Sequence, residues 1–190
     1  VRAFPDMIEV KIPEKVLEVK STKCSTPERI CDFGVKTEAG NAYEGKTVIL
    51  AAGARRRKLG VPGEAKFEGK GAAYCSTCDA PIFKDKDTAV IGGGNAGLEA
   101  AMDLLPYAKS IKLLEYGNVL KGDPVTQEKI KASNKVEIIL NAETAEILGD
   151  KFVNGLKYRD RATGEEKMLD LKGVFVEIGS VPNSDMVKNL

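Results

Sequence analysis

The stretch Thr88-Ala-Val-Ile-Gly-Gly-Gly-Asn-Ala-Gly97 joins a short apolar run to a glycine-rich turn. Apolar residues then recur at helical spacing from Asn95 to Leu105, and Pro106 ends the pattern. The run Ser110-Ile-Lys-Leu-Leu114 is typical of a second buried strand. A strand, a helix and a strand in this order predict a βαβ unit built on a parallel sheet.

The segments that follow extend this sheet and interrupt it once. A helix is predicted from Val125 to Ala132, followed by a strand from Val136 to Leu140. Three further strand-like runs lie near 143–148, 152–160 and 166–171, and the apolar run 174–178 resumes a buried strand. The order predicts the α/β class, with a Rossmann-like parallel sheet and an inserted β-meander.

The segment before this sheet is rich in predicted strands. Strand-length runs cover 7–19, 30–37 and 46–52, with Gly40-Asn41 as a turn, and Thr47–Gly53 has the composition of a buried strand. Glycine and proline punctuate the stretch from Lys58 to Gly71. We therefore expect a partial β-rich domain with its connector at 1–69, a nucleotide-binding domain at 70–181, and a return to the first domain at 182–190.

The glycine turn has the spacing G-x-G-x-x-G of a dinucleotide-binding fingerprint. Gly92 allows the tight turn, Gly94 lets the backbone approach a pyrophosphate, and Gly97 permits close packing of the helix on the sheet. Backbone amides around Asn95 and Ala96 would bind the phosphates at the positive end of the helix. A glycine-rich turn without a ligand is the alternative interpretation.

An acidic residue, Glu115, follows the second strand of the unit. A carboxylate at this position can accept hydrogen bonds from the ribose hydroxyls of NADH, whereas it would repel the 2′-phosphate of NADPH. The residues Tyr116–Leu120 offer no arginine for that phosphate, although Lys121 could compensate in part. The sequence therefore favours NADH over NADPH.

A pair of cysteines, Cys75 and Cys78, lies shortly before the glycine turn and is followed by Asp79. Two intervening residues permit a disulfide that opens and closes reversibly, and Asp79 is placed to manage the protons. A zinc site formed with Cys24 and Cys31 is the competing interpretation. We expect Cys24 and Cys31 to act as small apolar residues, and we predict no metal site.

Composition excludes several other classes of protein. The chain has 190 residues, 29 Lys and Arg against 28 Asp and Glu, and no histidine. Such balanced charge does not favour nucleic acid or a membrane surface, and the basic run Arg55–Lys58 is expected to be a solvated connector. Because neither a signal peptide nor a membrane-spanning apolar stretch is evident, a cytoplasmic location is expected.

The motifs of residues 51–183 resemble the low-molecular-weight thioredoxin reductases and, more closely, the flavoprotein reductase subunits of alkyl hydroperoxide reductase. The matching strings are Ala51-Ala-Gly-Ala54, Val61-Pro-Gly-Glu64, Tyr74-Cys-x-x-Cys-Asp79, Val90-Ile-Gly-Gly-Gly-Asn-Ala-Gly97, Leu113-Leu-Glu115, Ile139-Leu-Asn141, Tyr158-Arg-Asp160 and Gly173-Val-Phe-Val-x-Ile-Gly-x-x-Pro-Asn183.

The resemblance implies a nicotinamide domain inserted into an FAD domain, with electrons passing from the nicotinamide through FAD to the disulfide. Cys78 would be the sulfur nearer the flavin, Cys75 the one that exchanges with a partner, and Asp79 the acid–base residue. Gly179 joins the cofactor-binding residues, the partner would be a thioredoxin-like or peroxiredoxin-linked protein, and the full-length protein would form a homodimer.

The FAD pyrophosphate fingerprint of these families and their closing Gly-Asp motif are not found in residues 1–190. The chain is therefore expected to be a piece of a longer enzyme that binds NADH without retaining FAD and has little activity alone. Two functions of other classes remain open from the sequence. One is a non-catalytic dinucleotide-binding module, and the other is a zinc-stabilised binding domain.

Overall fold

The computed structural model describes residues 8–25 and 30–190, and it includes the side chains of all of these except 23–25, 30 and 31. Contacts divide the chain into two compact units. Unit 1 comprises Val1–Arg55 with Pro182–Leu190, and unit 2 comprises Arg56–Val181. The short strands β4 (Ala54–Arg56) and β13 (Ser180–Pro182) pair where the chain passes between the units.

Unit 1 contains a three-stranded antiparallel sheet in the order β1-β2-β3. The strands are β1 (Val16–Ser25), β2 (Ile30–Thr37) and β3 (Ala42–Gly45), and a short 3-10 helix covers Asp185–Val187. The strand predicted at 30–37 and the turn at Gly40-Asn41 are confirmed. The strand predicted at 7–19 is wrong over 8–15, because Pro13 lacks the amide hydrogen that a sheet requires and the regular ladder begins at Val16.

A carboxylate ties the segment before β1 to the following hairpin. Glu14 accepts hydrogen bonds from the hydroxyl of Thr37 at 2.9 Å, from the hydroxyl of Tyr43 at 2.8 Å and from the side-chain amide of Asn41. These bonds, that from Asn41 foremost, lower the pKa of Glu14. A side-chain cluster therefore orders residues that the apolar pattern alone assigns to a strand.

The buried strand predicted at Thr47–Gly53 is wrong. These residues form no strand, and Ile49 is 92% exposed. An apolar run becomes a buried strand only where neighbours pair with its edges and cover its faces. Among the described residues no strand pairs with 47–53, and the next strand, β4, begins only at Ala54.

Unit 2 is built on a five-stranded parallel sheet in the order β5-β12-β6-β7-β8. Its strands are β5 (Ala72–Ala73), β6 (Asp87–Ile91), β7 (Ser110–Leu114), β8 (Val136–Ile139) and β12 (Gly173–Val176). Its helices are α1 (Glu64–Phe67), α2 (Ser76–Asp79), α3 (Asn95–Leu104) and α4 (Pro124–Lys131), with a 3-10 helix at Ala80–Phe83. The predicted βαβ unit is confirmed.

The predicted meander is a separate antiparallel sheet in the order β11-β10-β9, inserted between β8 and β12. Its strands are β9 (Ala142–Gly149), β10 (Val153–Asp160) and β11 (Glu166–Asp170). Side chains alternate across the parallel sheet. Val174 and Val176 pack with the meander in one core, whereas Val90 and Phe175 pack with α3 and α4 in the other. The parallel sheet is thus covered on both faces.

Residues 56–69, which the sequence assigns to the first domain and its connector, pack with unit 2. Phe67 is 2% exposed and belongs to the core beneath the meander, with Leu59 and Val61 packed against it. The connector is therefore part of the wall of the second unit. No helix among the described residues is long and apolar enough to cross a membrane.

Candidate functional site

Glycine is required at two positions of the turn between β6 and α3. Gly92 has a φ of +119°, and a Cβ atom there would lie 2.4 Å from the carbonyl oxygen of Glu177. A Cβ atom on Gly97 would lie 1.8 Å from the carbonyl oxygen of Gly92. The turn is therefore tight and α3 packs directly against it, as the spacing of the glycines predicts.

Gly94 differs from these two glycines. A Cβ atom on Gly94 would meet no atom within 4 Å, and its φ of −85° is open to any residue. The backbone here is thus freely approachable, and it lies at the N-terminus of α3, where the first amides, including those of Asn95 and Ala96, have no acceptor within the helix. An open backbone at the positive end of a helix suits a pyrophosphate.

Backbone hydrogen bonds fix the loop after β7 beside this turn. The carbonyl oxygen of Gly93 accepts from the amides of Lys121 at 2.8 Å and Gly122 at 3.1 Å. The side-chain oxygen of Asn95 accepts from the amide of Asp123 at 2.7 Å. Asn95 therefore orders the loop as well as beginning α3, and the loop brings Lys121 to the same site.

Glu115 lies at the end of β7 and is only 7% exposed. One carboxylate oxygen accepts from the amide of Gly93 at 2.7 Å, and the other accepts from the amide of Gly117 at 2.8 Å. A Cβ atom on Gly93 would lie 2.7 Å from the carboxylate, so a side chain at this position would displace Glu115 from the turn. Each oxygen keeps a further lone pair, which leaves acceptor capacity for a ribose hydroxyl.

A cavity of about 620 Å³ opens at the carboxyl ends of the parallel strands. This edge of an open α/β sheet is where ligands bind, and the volume is in the range of small-molecule and cofactor sites. The cavity brings together all the predicted cofactor-binding residues except Gly97, which lies behind the turn. They are Gly92, Gly94, Asn95, Ala96, Glu115 and Gly179.

A buried carboxylate shapes the apolar wall of this cavity. Glu64 accepts hydrogen bonds from the amides of Leu59 at 2.9 Å and Gly60 at 2.7 Å, and from the hydroxyl of Tyr74 at 2.9 Å. Burial raises the pKa of Tyr74. Leu59 and Val61 line the cavity as a result. The string Val61-Pro-Gly-Glu64 thus has a structural role in the cavity wall.

Thr144, at the start of the meander, also lines the cavity. Its hydroxyl oxygen is buried and has no hydrogen-bond partner among the described residues. A buried hydroxyl without a partner carries a free-energy penalty, which a ligand acceptor could relieve. The sequence gives no signal for this residue.

The meander supplies an arginine beside Tyr116, in the loop after β7. The Arg161 guanidinium lies 3.8 Å from the ring centroid of Tyr116 and donates a hydrogen bond to the Tyr116 carbonyl oxygen at 3.1 Å. Tyr116 lines the cavity beside Glu115. Residues 116–120 contain no arginine, and Arg161, which follows β10, contacts this loop from the meander instead.

Glu177 follows β12 and lines the cavity on the other side of the glycine turn. Its side chain is 4% exposed and forms an ion pair with Arg56, at 3.1 Å between Oε2 and Nη1. Burial raises the pKa of Glu177, Arg56 lowers it, and Asp103 and Glu99 raise it further. The sequence gives no signal for Glu177, because it is a single charged residue within an apolar run.

Cys75 and Cys78 form a disulfide with a Cα–Cα distance of 5.3 Å. The Cys75 sulfur caps α2 by accepting a hydrogen bond from the amide of Cys78 at 3.3 Å. The hydroxyls of Ser76 at 2.7 Å and Thr77 at 3.3 Å both donate to Asp103 of α3. The disulfide and the glycine turn are therefore connected to the same helix, near its opposite ends.

The exposure of Cys75 and Cys78 does not fit the roles that the resemblance assigns to them. Cys78 is exposed and Cys75 is half-buried within unit 2. Exposure favours Cys78 as the more reachable residue, whereas the resemblance assigns exchange with a partner to Cys75. Asp79 is half-buried next to Cys78. The individual roles of these three residues stay predictions.

The competing zinc site needs thiolates from both cysteine pairs. Cys75 and Cys78 are joined to each other, and Cys24 and Cys31 lie opposite each other on β1 and β2. The side chains of Cys24 and Cys31 lie outside the described part of the structure. The described side chains contain no group of three or more potential Cys, Asp or Glu ligands.

A parallel sheet with a glycine turn at its carboxyl edge, together with a disulfide on the adjoining helix, defines a nucleotide-binding redox protein. The chain belongs to the pyridine nucleotide-disulphide oxidoreductase family, whose sequence model matches residues 6–190. Members of this class are flavoprotein oxidoreductases, and the resemblance to thioredoxin reductases is confirmed.

Curated relatives agree with this family. The chain is 49% identical over 156 residues to an NADH dehydrogenase of Bacillus subtilis (strain 168). It is 46% identical over 155 residues to an alkyl hydroperoxide reductase protein, the F component of that enzyme, of Staphylococcus aureus (strain MRSA252). Each alignment covers 82% of this chain and 31% of the relative, so the chain spans about a third of these proteins.

Solved structures show the same fold. Thioredoxin reductase from T. acidophilum matches with a TM-score of 0.76 and 38% identity, over 92% of this chain and 55% of that chain. Thioredoxin reductase from Lactococcus lactis matches with a TM-score of 0.77 and 26% identity, over 91% and 55%. The chain thus corresponds to about half of each reductase.

Proposed function

We propose that this chain is the nicotinamide-binding and dithiol portion of an FAD-dependent NADH:disulfide oxidoreductase of the thioredoxin reductase type. The observation that carries the proposal is the placement of a dinucleotide-type cavity at the N-terminus of α3 and of a disulfide whose turn is hydrogen-bonded to Asp103 of the same helix. On this proposal 1–69 and 182–190 belong to an FAD-type domain and 70–181 to the nicotinamide domain. Contacts support extending the second domain to begin near Arg56.

Family membership supports an electron carrier between the nucleotide and the disulfide, because members of this family are flavoprotein oxidoreductases. FAD, when bound in the full-length protein, would accept the hydride and pass two electrons to the disulfide.

The proton balance of this reaction gives Asp79 a role. NADH delivers a hydride, which is one proton and two electrons, and the Cys75–Cys78 bond breaks to give two sulfurs that need two protons as thiols. One additional proton must therefore come from solvent. Asp79 adjoins Cys78 in sequence and on this proposal would transfer that proton, as a general acid and base does.

The charges around the ribose end support NADH over NADPH, although less strongly than the sequence alone. The buried Glu115 carboxylate would repel a 2′-phosphate, by about 4 kcal/mol for unit charges at 4 Å and an effective dielectric near 20. Lys121 and Arg161 bring positive charge to the same region. The outcome rests on Glu115, because it is buried and fixed by two backbone amides.

The partner in this proposal is a thioredoxin-like or peroxiredoxin-linked protein. The names of the relatives support it, since they include a component of alkyl hydroperoxide reductase and several thioredoxin reductases. Homodimer formation and a cytoplasmic location stay predictions from the sequence.

Cysteine variants of the full-length protein test the proposal. Cys75→Ser should abolish NADH-driven reduction of a chromogenic aromatic disulfide and of a thioredoxin, while anaerobic reduction of the flavin by NADH continues. Cys78→Ser should stall at a mixed disulfide with the partner, detectable by mass spectrometry. Ser76→Ala is the matched control, since it removes a hydroxyl from the same turn and leaves both sulfurs.

Two results would contradict this function. One is full turnover in either cysteine variant, which would exclude the Cys75–Cys78 pair from electron transfer. The other is failure of the wild-type 190-residue chain to bind NADH or NADPH in calorimetric titration, which would remove the nucleotide from the cavity.

A further inference from the structure

Glu177 occupies a defined position along the edge of the parallel sheet. Strand order places β6 between β12 and β7, with Ile91 paired to Val176 on one side and to Leu114 on the other. Glu177, Gly92 and Glu115 are therefore the next residues along three adjacent strands. Because neighbouring strands lie about 4.8 Å apart, the two glutamate backbones are separated by about 10 Å across the glycine turn.

A dinucleotide bound to this edge has a fixed direction. With its pyrophosphate at the turn and its adenosine ribose at Glu115, the nicotinamide half extends toward β12. We propose that Glu177 contributes to the nicotinamide end of this site and favours the positively charged ring of NAD+ over the neutral ring of NADH. The inference rests on the proposed function, because it requires a nicotinamide dinucleotide in the cavity.

The contacts of Glu177 leave it able to act on a ligand. Its side chain is 4% exposed, and Oε2 is held by Arg56. Oε1 has no hydrogen-bond partner among the described residues. A carboxylate oxygen can accept more than one hydrogen bond, so Oε1 has acceptor capacity for a ligand. The carboxamide of nicotinamide supplies an N–H donor. Glu177 therefore has one oxygen fixed by the protein and one available at the cavity wall.

The surrounding charge strengthens this preference. Glu99 and Asp103 of α3 are close enough to Glu177 to raise its pKa, and Arg56 is the opposing group. Three carboxylates against one guanidinium leave an excess of negative charge. Arg56 is also half-exposed, so solvent screens its charge more than that of the buried carboxylate. The field at this end therefore attracts a cation.

The decisive measurement is the ratio of NADH to NAD+ dissociation constants, determined by calorimetry on the 190-residue chain. Glu177→Gln keeps the shape and an oxygen for Arg56 but removes the charge. The preference for NAD+ should fall by about tenfold relative to wild type. Glu143→Gln is the matched control, since Glu143 lines the same cavity on the meander side. Its ratio should not change.

Arg56→Gln provides an independent test with the opposite sign. Because Arg56 opposes the negative charge of Glu177, this variant should raise the preference for NAD+, measured in alkaline buffer, which favours the carboxylate form. An unchanged ratio in a folded Glu177→Gln protein that binds both nucleotides would overturn the inference, as would an unchanged or lower preference in Arg56→Gln. If wild type binds neither nucleotide, the proposed function itself fails, so the two failures are distinguishable.

Discussion

Substitution of Gly94 separates binding of a dinucleotide from stability of the fold. In Gly94→Ala the new methyl group meets no protein atom within 4 Å, and the φ of −85° suits alanine. Replacing glycine at such a position stabilises a protein by about 0.4–1 kcal/mol, because the unfolded chain loses freedom. The free energy of unfolding should therefore be unchanged or slightly higher than that of wild type.

The same methyl group would stand where a pyrophosphate has to approach the amides of α3. Loss of one or two charge-assisted hydrogen bonds, at about 1.5–3 kcal/mol each, should weaken NADH binding by tenfold or more. Urea unfolding and calorimetric titration of the 190-residue chain measure the two effects.

Gly97→Ala is the matched comparison, because the same methyl group would lie 1.8 Å from the Gly92 carbonyl oxygen. Overpacking of this kind costs about 1–3 kcal/mol, so Gly97→Ala should lower the free energy of unfolding. Wild-type NADH affinity in Gly94→Ala would refute the assignment of the turn to the pyrophosphate. If Gly94→Ala lowered the free energy of unfolding as much as Gly97→Ala does, the space in front of Gly94 could not be open.

Two further predictions concern the cavity wall. Glu115→Arg should shift preference toward NADPH by about 1–3 kcal/mol, by removing repulsion and adding a phosphate partner; unchanged NADH-to-NADPH affinity ratios in paired titrations would remove Glu115 from the ribose site. Thr144→Val should leave the free energy of unfolding unchanged or higher, since its hydroxyl has no partner among the described residues, yet weaken NADH binding by about two- to tenfold. In the control Thr88→Val, loss of the hydrogen bond to the Ser110 carbonyl oxygen should lower stability by about 0.5–1.5 kcal/mol without changing NADH affinity. If Thr144→Val lowered the free energy of unfolding as much as Thr88→Val does, the Thr144 hydroxyl would have to have a partner in the folded protein.

Unit 2 was predictable from the sequence because its signals are local. The strand at 88–91, the helix from Asn95 and the strand at 110–114 each combine an apolar pattern with a turn or breaker, and the structure reproduces them closely. The spacing of Gly92 and Gly97 likewise predicts the turn, because these two glycines meet each other five residues apart. A fold can be predicted from sequence where such local signals agree with the overall structure.

Unit 1 and the cavity wall were less predictable because they depend on distant partners. The run 47–53 reads as a buried strand, but a strand also needs paired edges, which the pattern does not encode. Arg161 reaches Tyr116 across 45 positions of sequence through the meander. Thr144 and Glu177 are ordinary residues within strands or apolar runs, and their importance emerges from the side on which the sheet places them.

The two backbone amides held by Glu115 bear on how cofactor choice can evolve in this chain. The carboxylate proposed to bind the ribose also closes the glycine turn through Gly93 and the following loop through Gly117. A replacement that accepts NADPH leaves these amides without their partner, at about 1–3 kcal/mol for each one that stays buried. A lineage moving from one nicotinamide to the other therefore crosses a less stable intermediate, unless a compensating substitution in the loop comes first.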